Sequence, residues 1–227
     1  MTGTTPGSRS QLPVVIVDDH DLISEALATA LRERALPARR LPVRSEAYVR
    51  RALSARPTGL VLLDLDLGRD DEGRPVDGLN MIAELRAAGW RVIILSGTRS
   101  RARVAAAIAA GALGYVPKSA PLTELVRAVV EAVDGRQIMT ETERRHWTEL
   151  HRRAQAARAQ REEMMGRLTS REREVLDLLA QGLRVATIAE RFVVSEATVR
   201  TQVKSILRKL EVTSQLEAVA LLRSPDR

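Results

Sequence analysis

Four short apolar runs, each ending in charged or hydroxyl residues, constrain this chain more than any other feature. Residues 13–17 end in Asp18-Asp19. Residues 59–64 end in Asp64, followed by Asp66. Arg91–Ser96 ends in the Ser96 hydroxyl, with Gly97 and Thr98 after it. Gly114–Pro117 is closed by Lys118. A weaker run lies near residues 37–43. Amphipathic segments of helix length, about 21–34, 45–55, 78–88, 101–110 and 121–134, lie between and after them. The runs are continuously apolar, which suits parallel strands covered on both faces. Five strand–helix repeats in this length predict an α/β doubly wound parallel sheet. Right-handed crossovers then bring the carboxyl ends of the strands to one crevice.

That crevice would collect Asp18, Asp19, Asp64, Asp66, Ser96 and Lys118. Clustered carboxylates repel one another and favour a hard divalent cation. Mg²⁺ takes oxygen ligands and keeps several waters. A carboxylate beside it can attack a phosphoryl donor and form an acyl phosphate. The Ser hydroxyl and the Lys charge would hold the phosphoryl oxygens. A single Asp at a strand end is usually a cap or a turn residue. An acidic pair, an Asp, a Ser and a Lys at the ends of four successive strands are much harder to assign to turns.

The segments VVIVDDHD, LVLLDLDLG, VIILSGT and GALGYVPKS resemble the receiver domains of two-component response regulators, over about residues 12–135. The resemblance implies a flavodoxin-like five-stranded sheet with Asp64 as phosphoacceptor. Asp19 would bind Mg²⁺ directly, Asp18 through water, and Asp66 through its backbone carbonyl. Ser96 would be the switch hydroxyl, Tyr115 the switch aromatic, and Lys118 the phosphoryl partner. Two departures stand out. The loop over 67–78 (LGRDDEGRPVDG) is several residues longer than usual, lacks the usual Pro and is acidic; it either alters access for a kinase or phosphatase or, as expected, is an inert surface loop. Ser119 follows Lys118, where many receivers have Pro.

Residues 140–166 are charged and free of Pro, with Trp147, Leu150, Ala154, Ala157, Met164 and, just beyond, Leu168 at helical spacings. That predicts a long linker helix with a narrow apolar seam. It is either solvated or in contact, within a dimer or back onto the receiver. Residues 168–222 read as four short helices. Ser170 (or Thr169) caps the first and Gly182 ends it; Ser195 caps the third and Ser214 the last. The second and third, joined by Val193-Val194, form a helix-turn-helix. The third keeps Val199, Val203, Ile206, Leu207 and Leu210 on one side and basic residues elsewhere. This segment resembles the output domain of NarL/FixJ (LuxR-type) regulators through LTSREREVL, IAE, VSEATVRTQV and ILRKLEV. The resemblance implies that Arg200, Thr201 and Lys204 face the groove, that Arg208 and Lys209 contact phosphates, and that the last helix is a dimer contact on DNA. Val185-Ala186-Thr187, Gln202 and Gln215 depart from the family pattern; Gln202 can still hydrogen-bond a base.

The domain reading is therefore a flexible tail over 1–11, a receiver over 12–137, a helical linker over 138–166 and a small all-α helix-turn-helix domain over 167–227. The net charge of +7 adds little to the DNA argument. Basic against acidic residues number 19 to 16 over 1–138, 6 to 5 over 139–166 and 11 to 8 over 167–227, so the excess is spread thinly. There is no cysteine, which excludes disulfides and thiolate sites. No run is long enough to span a membrane, and a cytoplasmic protein is expected. His20, His146 and His151 read as too scattered for a metal site. The function that follows is a transcription factor switched by aspartyl phosphorylation rather than an enzyme. Its partners would be DNA, a sensor histidine kinase and a second copy of the chain. The alternatives are a phosphorylation-independent regulator set by a ligand or partner protein, and a haloacid-dehalogenase-like phosphatase built on Asp64-Leu65-Asp66.

Overall fold

The computed structural model describes residues 12–97 and 100–223. The tail over 1–11 and Thr98 lie outside the described residues. The chain forms two compact units, Met1–His151 and Arg152–Arg227.

The first unit carries β1 (Val14–Val17), α1 (Asp21–Arg32), β2 (Ala38–Leu41), α2 (Glu46–Ser54) and β3 (Leu60–Leu63). There follow β4 (Asp66–Arg69), β5 (Pro75–Asp77), a 3₁₀ turn (Gly78–Met81), α3 (Ile82–Ala87) and β6 (Arg91–Ser96). It continues through α4 (Arg101–Ala109), β7 (Gly114–Pro117) and α5 (Leu122–Val133), and α6 (Glu141–Gly166) begins in it. The five strands β2-β1-β3-β6-β7 form one sheet, parallel throughout. All four residues of β1 and of β3 are buried, as continuous apolar runs require of central strands. Alternate side chains feed two cores. Val15, Val17, Leu63 and Ile94 pack with α2, α3 and α4 on one face. Val14, Ile16, Leu62 and Leu95 pack with α1 and α5 on the other. On α1 the buried positions are Ser24, Leu27, Ala28 and Leu31, a helical stripe.

The segment over 67–78 is not a plain loop. β4 and β5 pair as an antiparallel hairpin. Its turn is tied by Asp70 Oδ1, which accepts the amides of Glu72 and Arg74, and by Gly73 at φ 77. Leu65, Leu67 and Val76 alternate into the core at 0%, 1% and 3% exposure, which anchors it. The sequence hid this pairing because three acidic residues and a Gly at the tip break the apolar pattern.

The second unit holds α7 (Ser170–Ala180), α8 (Val185–Phe192), α9 (Glu196–Lys209) and α10 (Gln215–Arg223). Met165, Val175, Leu176, Ile188, Val199, Val203, Ile206 and Leu210 form its core. The cap of α7 is Thr169, not Ser170: Thr169 Oγ1 accepts from the Glu172 amide and Glu172 reaches back to the Thr169 amide, a reciprocal capping box. Ser195 caps α9 as expected. Gly182, at φ 88, follows the end of α7. Ser214 accepts from the Glu217 amide at the start of α10. Along α6, residues 152–160 are all exposed. Its apolar seam is therefore covered only near its two ends.

Candidate functional site

β1 and β3 are neighbours in the sheet and β7 lies one strand further, beyond β6; the long Lys118 side chain at the end of β7 reaches back to the terminal residues of the other two. Lys118 Nζ donates to Asp64 Oδ2 at 2.5 Å and to Asp18 Oδ1 at 2.7 Å. Asp18 and Asp64 are 5% and 2% exposed, so both charges sit out of bulk water. Burial would pull the Lys118 ammonium down; the bonds to Asp18 and Asp64 outweigh it and hold the group above its usual value. Asp64 Oδ1 accepts from the Asp66 amide at 3.1 Å, which turns the chain into the hairpin. Gly78 closes that turn from behind: a Cβ there would stand 1.9 Å from the Asp64 carbonyl.

His20, set apart by the sequence reading, joins this cluster. Its Nδ1 lies 2.7 Å from Asp19 Oδ1 and 3.0 Å from Lys118 Nζ. Ligand atoms of Asp18, Asp19, His20 and Asp64 fall within 4.8 Å of one another. A lone His after an acidic pair gives no sequence signal that its ring will turn back toward them. Asp18 Oδ2 is buried and has no hydrogen-bond partner. Three carboxylates, one of them with an orphaned buried oxygen, suit a hard divalent cation such as Mg²⁺.

Ser96 is 1% exposed at the end of β6. Half-buried Tyr115 places its hydroxyl 3.4 Å from the Ser96 carbonyl. Burial, then the charge of Asp64, pushes the Tyr115 phenol up. Ser96, Arg101, Tyr115 and Trp147 line one cleft. There the first turns of α6 dock on the first unit. Arg101 stacks over the Trp147 ring, 5.6 Å from its centroid. Arg144 donates to the carbonyls of Ala112 and Leu113 at 3.1 and 2.7 Å.

In the second unit Arg200, Thr201, Lys204 and Arg208 are exposed on α9. Arg200 pairs with Glu196 one turn earlier at 2.9 Å. The other two expected DNA residues are less available. Gln202 is half-buried, with its Oε1 turned inward and unpartnered. Lys209 Nζ is held by Glu172 at 2.6 Å. Both face inward because the α9–α7 contact buries their side of the helix.

A doubly wound sheet with a lysine-clamped acidic pocket, joined to a helix-turn-helix unit, defines the class of receiver proteins with a DNA-binding output. Comparison with known proteins agrees. The family described as "Response regulator receiver domain" matches residues 14–130. The "Bacterial regulatory proteins, luxR family" matches residues 166–222. The nitrate/nitrite response regulator protein NarL of Escherichia coli (strain K12) is 30% identical over 90% of this chain and 92% of its own length. The DNA-binding transcriptional activator DevR/DosR of Mycobacterium tuberculosis is 32% identical over 90% of this chain and 91% of its own. A solved structure of the RcsB response regulator of Salmonella typhimurium is 23% identical, covering 94% of this chain and 98% of that one, with a TM-score of 0.48. The chain belongs to the NarL/FixJ-type response regulators, with a receiver domain and a LuxR-type DNA-binding domain.

Proposed function

We propose that phosphorylation of Asp64 switches this chain between states of different affinity for promoter DNA. The observation that carries the reading is the buried Asp18–Lys118–Asp64 arrangement with its unpartnered Asp18 oxygen. A phosphorylated carboxylate keeps its place beside Lys118, which loses one carboxylate charge and gains a dianion. In this reading Asp18, Asp19 and Asp64, with the Asp66 backbone carbonyl, would hold Mg²⁺, and the cation would supply charge neutralisation for the phosphoryl oxygens. Asp64 attacks the phosphorus of the donor, the bond to the donor's leaving atom breaks, and that atom takes up a proton. Ser96 and Tyr115 then follow the new phosphoryl group, and the face formed by α4, β7 and α5 changes with them. A sensor histidine kinase is the expected donor.

The output follows from α9. Arg200, Thr201 and Lys204 form the exposed face that would enter the major groove, with Arg208 on a phosphate. Base contact by Gln202 and phosphate contact by Lys209 require those side chains to leave their present positions. In this reading the active species is a pair of chains on paired half-sites, with receiver, linker and output domains over 12–137, 138–166 and 167–227. No helix among the described residues is long and apolar enough to cross a membrane; we place the protein in the cytoplasm. It acts as a switch rather than a turnover catalyst.

Intact mass after incubation with Mg²⁺ and acetyl phosphate tests the reading. A labile, Mg²⁺-dependent phosphoryl adduct on the wild type, lost in Asp64→Asn, is the expected result. No adduct with any small phosphodonor would refute it.

A further inference from the structure

α4 begins with two arginines two residues apart, and so on different sides of the helix. Arg101 contacts Trp147 and His146 of α6. Arg103 goes toward the phosphoacceptor loop. Its Nη1 donates to Asp77 Oδ2 at 3.0 Å and its Nη2 to Asp77 Oδ1 at 2.8 Å, a bidentate pair. The same Nη2 donates to the Leu65 carbonyl at 2.9 Å. Leu65 directly follows Asp64, and its carbonyl also accepts the Gly78 amide at 3.1 Å.

These bonds close a frame around the pocket's backbone. The hairpin leaves at Asp66 and returns at Asp77, and these two residues face each other in its ladder. Gly78 is pressed against the Asp64 carbonyl, with no room for a side chain. The stretch 64–66 therefore cannot shift without moving 77–78. Arg103 is the one side chain of α4 seen to hold both. The Arg103 and Asp77 side chains are each 29% exposed, well short of a solvated surface pair. A guanidinium is also required by shape. Three acceptor contacts shared by two nitrogens suit its fork, and an ammonium on a flexible stem reproduces that geometry poorly.

We infer that Arg103 is a positioning residue for the acidic pocket: through Asp77 and the Leu65 carbonyl it fixes the backbone that presents Asp64 and Asp66 to cation and phosphoryl group. This rests on the metal-dependent phosphoacceptor reading above. It also makes α4 and the pocket a reciprocal pair, because whatever tightens one biases the other.

The test is calorimetric titration of the full-length protein with Mg²⁺ alone, for wild type, Arg103→Met, Arg103→Lys and Asp77→Asn. Asn at 77 retains the oxygen that accepts the Leu79 amide, so the 3₁₀ turn keeps its cap. The Mg²⁺ dissociation constant is expected to rise about tenfold in Arg103→Met, at the low end of the effect of removing groups that orient metal ligands. Asp77→Asn, which leaves the bond to the Leu65 carbonyl, should raise the constant by less, the double variant should be no worse than Arg103→Met, and Arg103→Lys should recover only part. Phosphorylation by acetyl phosphate at saturating Mg²⁺ should change less than the Mg²⁺ concentration needed for half the rate. A purely structural ion pair would lower the unfolding temperature and leave the Mg²⁺ constant where it was. That outcome, measured well below each variant's unfolding, overturns the inference alone. A wild type that binds no Mg²⁺ overturns the reading of the pocket and this inference with it.

Discussion

Glu172 offers the sharpest quantitative prediction for the second unit. Its side chain is 9% exposed. Oε2 accepts the Thr169 amide at 2.7 Å, the Thr169 hydroxyl at 3.0 Å and Lys209 Nζ at 2.6 Å. Oε1 accepts the Ser205 hydroxyl at 2.7 Å. Burial alone would raise its pKa; these donors, Lys209 foremost, bring it down to about 2 from 4.5. A group whose pKa is depressed on folding stabilises the fold above its unfolded value and loses that contribution as pH falls toward the folded one. The window is therefore between about pH 5 and pH 2. The full shift corresponds to about 3 kcal/mol, of which about 2 is gone by pH 3. Amide exchange on Val175, Leu176 and Val203, corrected for intrinsic rates, reads this locally. Relative to Glu172→Gln, wild-type protection should fall by about thirtyfold between pH 6 and pH 3. Lys209→Met should lose part of the same pH dependence, since it removes the leading donor and leaves those of Thr169 and Ser205. A wild-type advantage over Glu172→Gln that does not change with pH would refute the argument, and would free Lys209 for the phosphate contact that the family pattern suggests.

Two further predictions concern a strained turn and a reporter. Val193 sits at φ 55, ψ 47 between α8 and α9 with its side chain 90% exposed. A β-branched residue there costs roughly 1–2 kcal/mol and buries nothing in return, so Val193→Asn should raise the stability of the second unit by about 1 kcal/mol in thermal unfolding; a loss of stability would show that the turn is held by contacts of the side chain. Trp147 shares a cleft with Ser96 and Tyr115, and the other tryptophan, Trp90, is fully buried. Adding Mg²⁺ and beryllofluoride should therefore shift the emission of the intact chain, and the shift should vanish in Trp147→Phe. An unchanged spectrum in the wild type would mean that the switch residues move without disturbing α6.

What the sequence made legible depended on where the partner lies. Asp18, Asp64, Ser96 and Lys118 announce themselves because strand ends in a parallel sheet have a fixed address: alternation of strand and helix decides the topology, and topology brings them together. The same logic located α9, since capping and apolar spacing are local. Residues whose role is set by a distant side chain gave no such signal. Arg103 meets Asp77 from 26 residues away and Lys209 meets Glu172 from 37, and in a chain with 36 basic residues neither stands out. The family motif implies a phosphate contact for Lys209; the motif fixes its place on the helix but not which way its stem turns when a buried carboxylate is in reach. Arg103 carries no signal in the sequence, because the hairpin it holds has the composition of a surface loop, and its acids have separate fates: Asp70 ties the turn through Arg74, while Asp77 pairs with Arg103 of α4. An unusual insertion beside a conventional site therefore calls for a search among the arginines of the neighbouring helix, since ordering extra backbone next to a site that must hold its geometry requires a side chain that can bind it at more than one point.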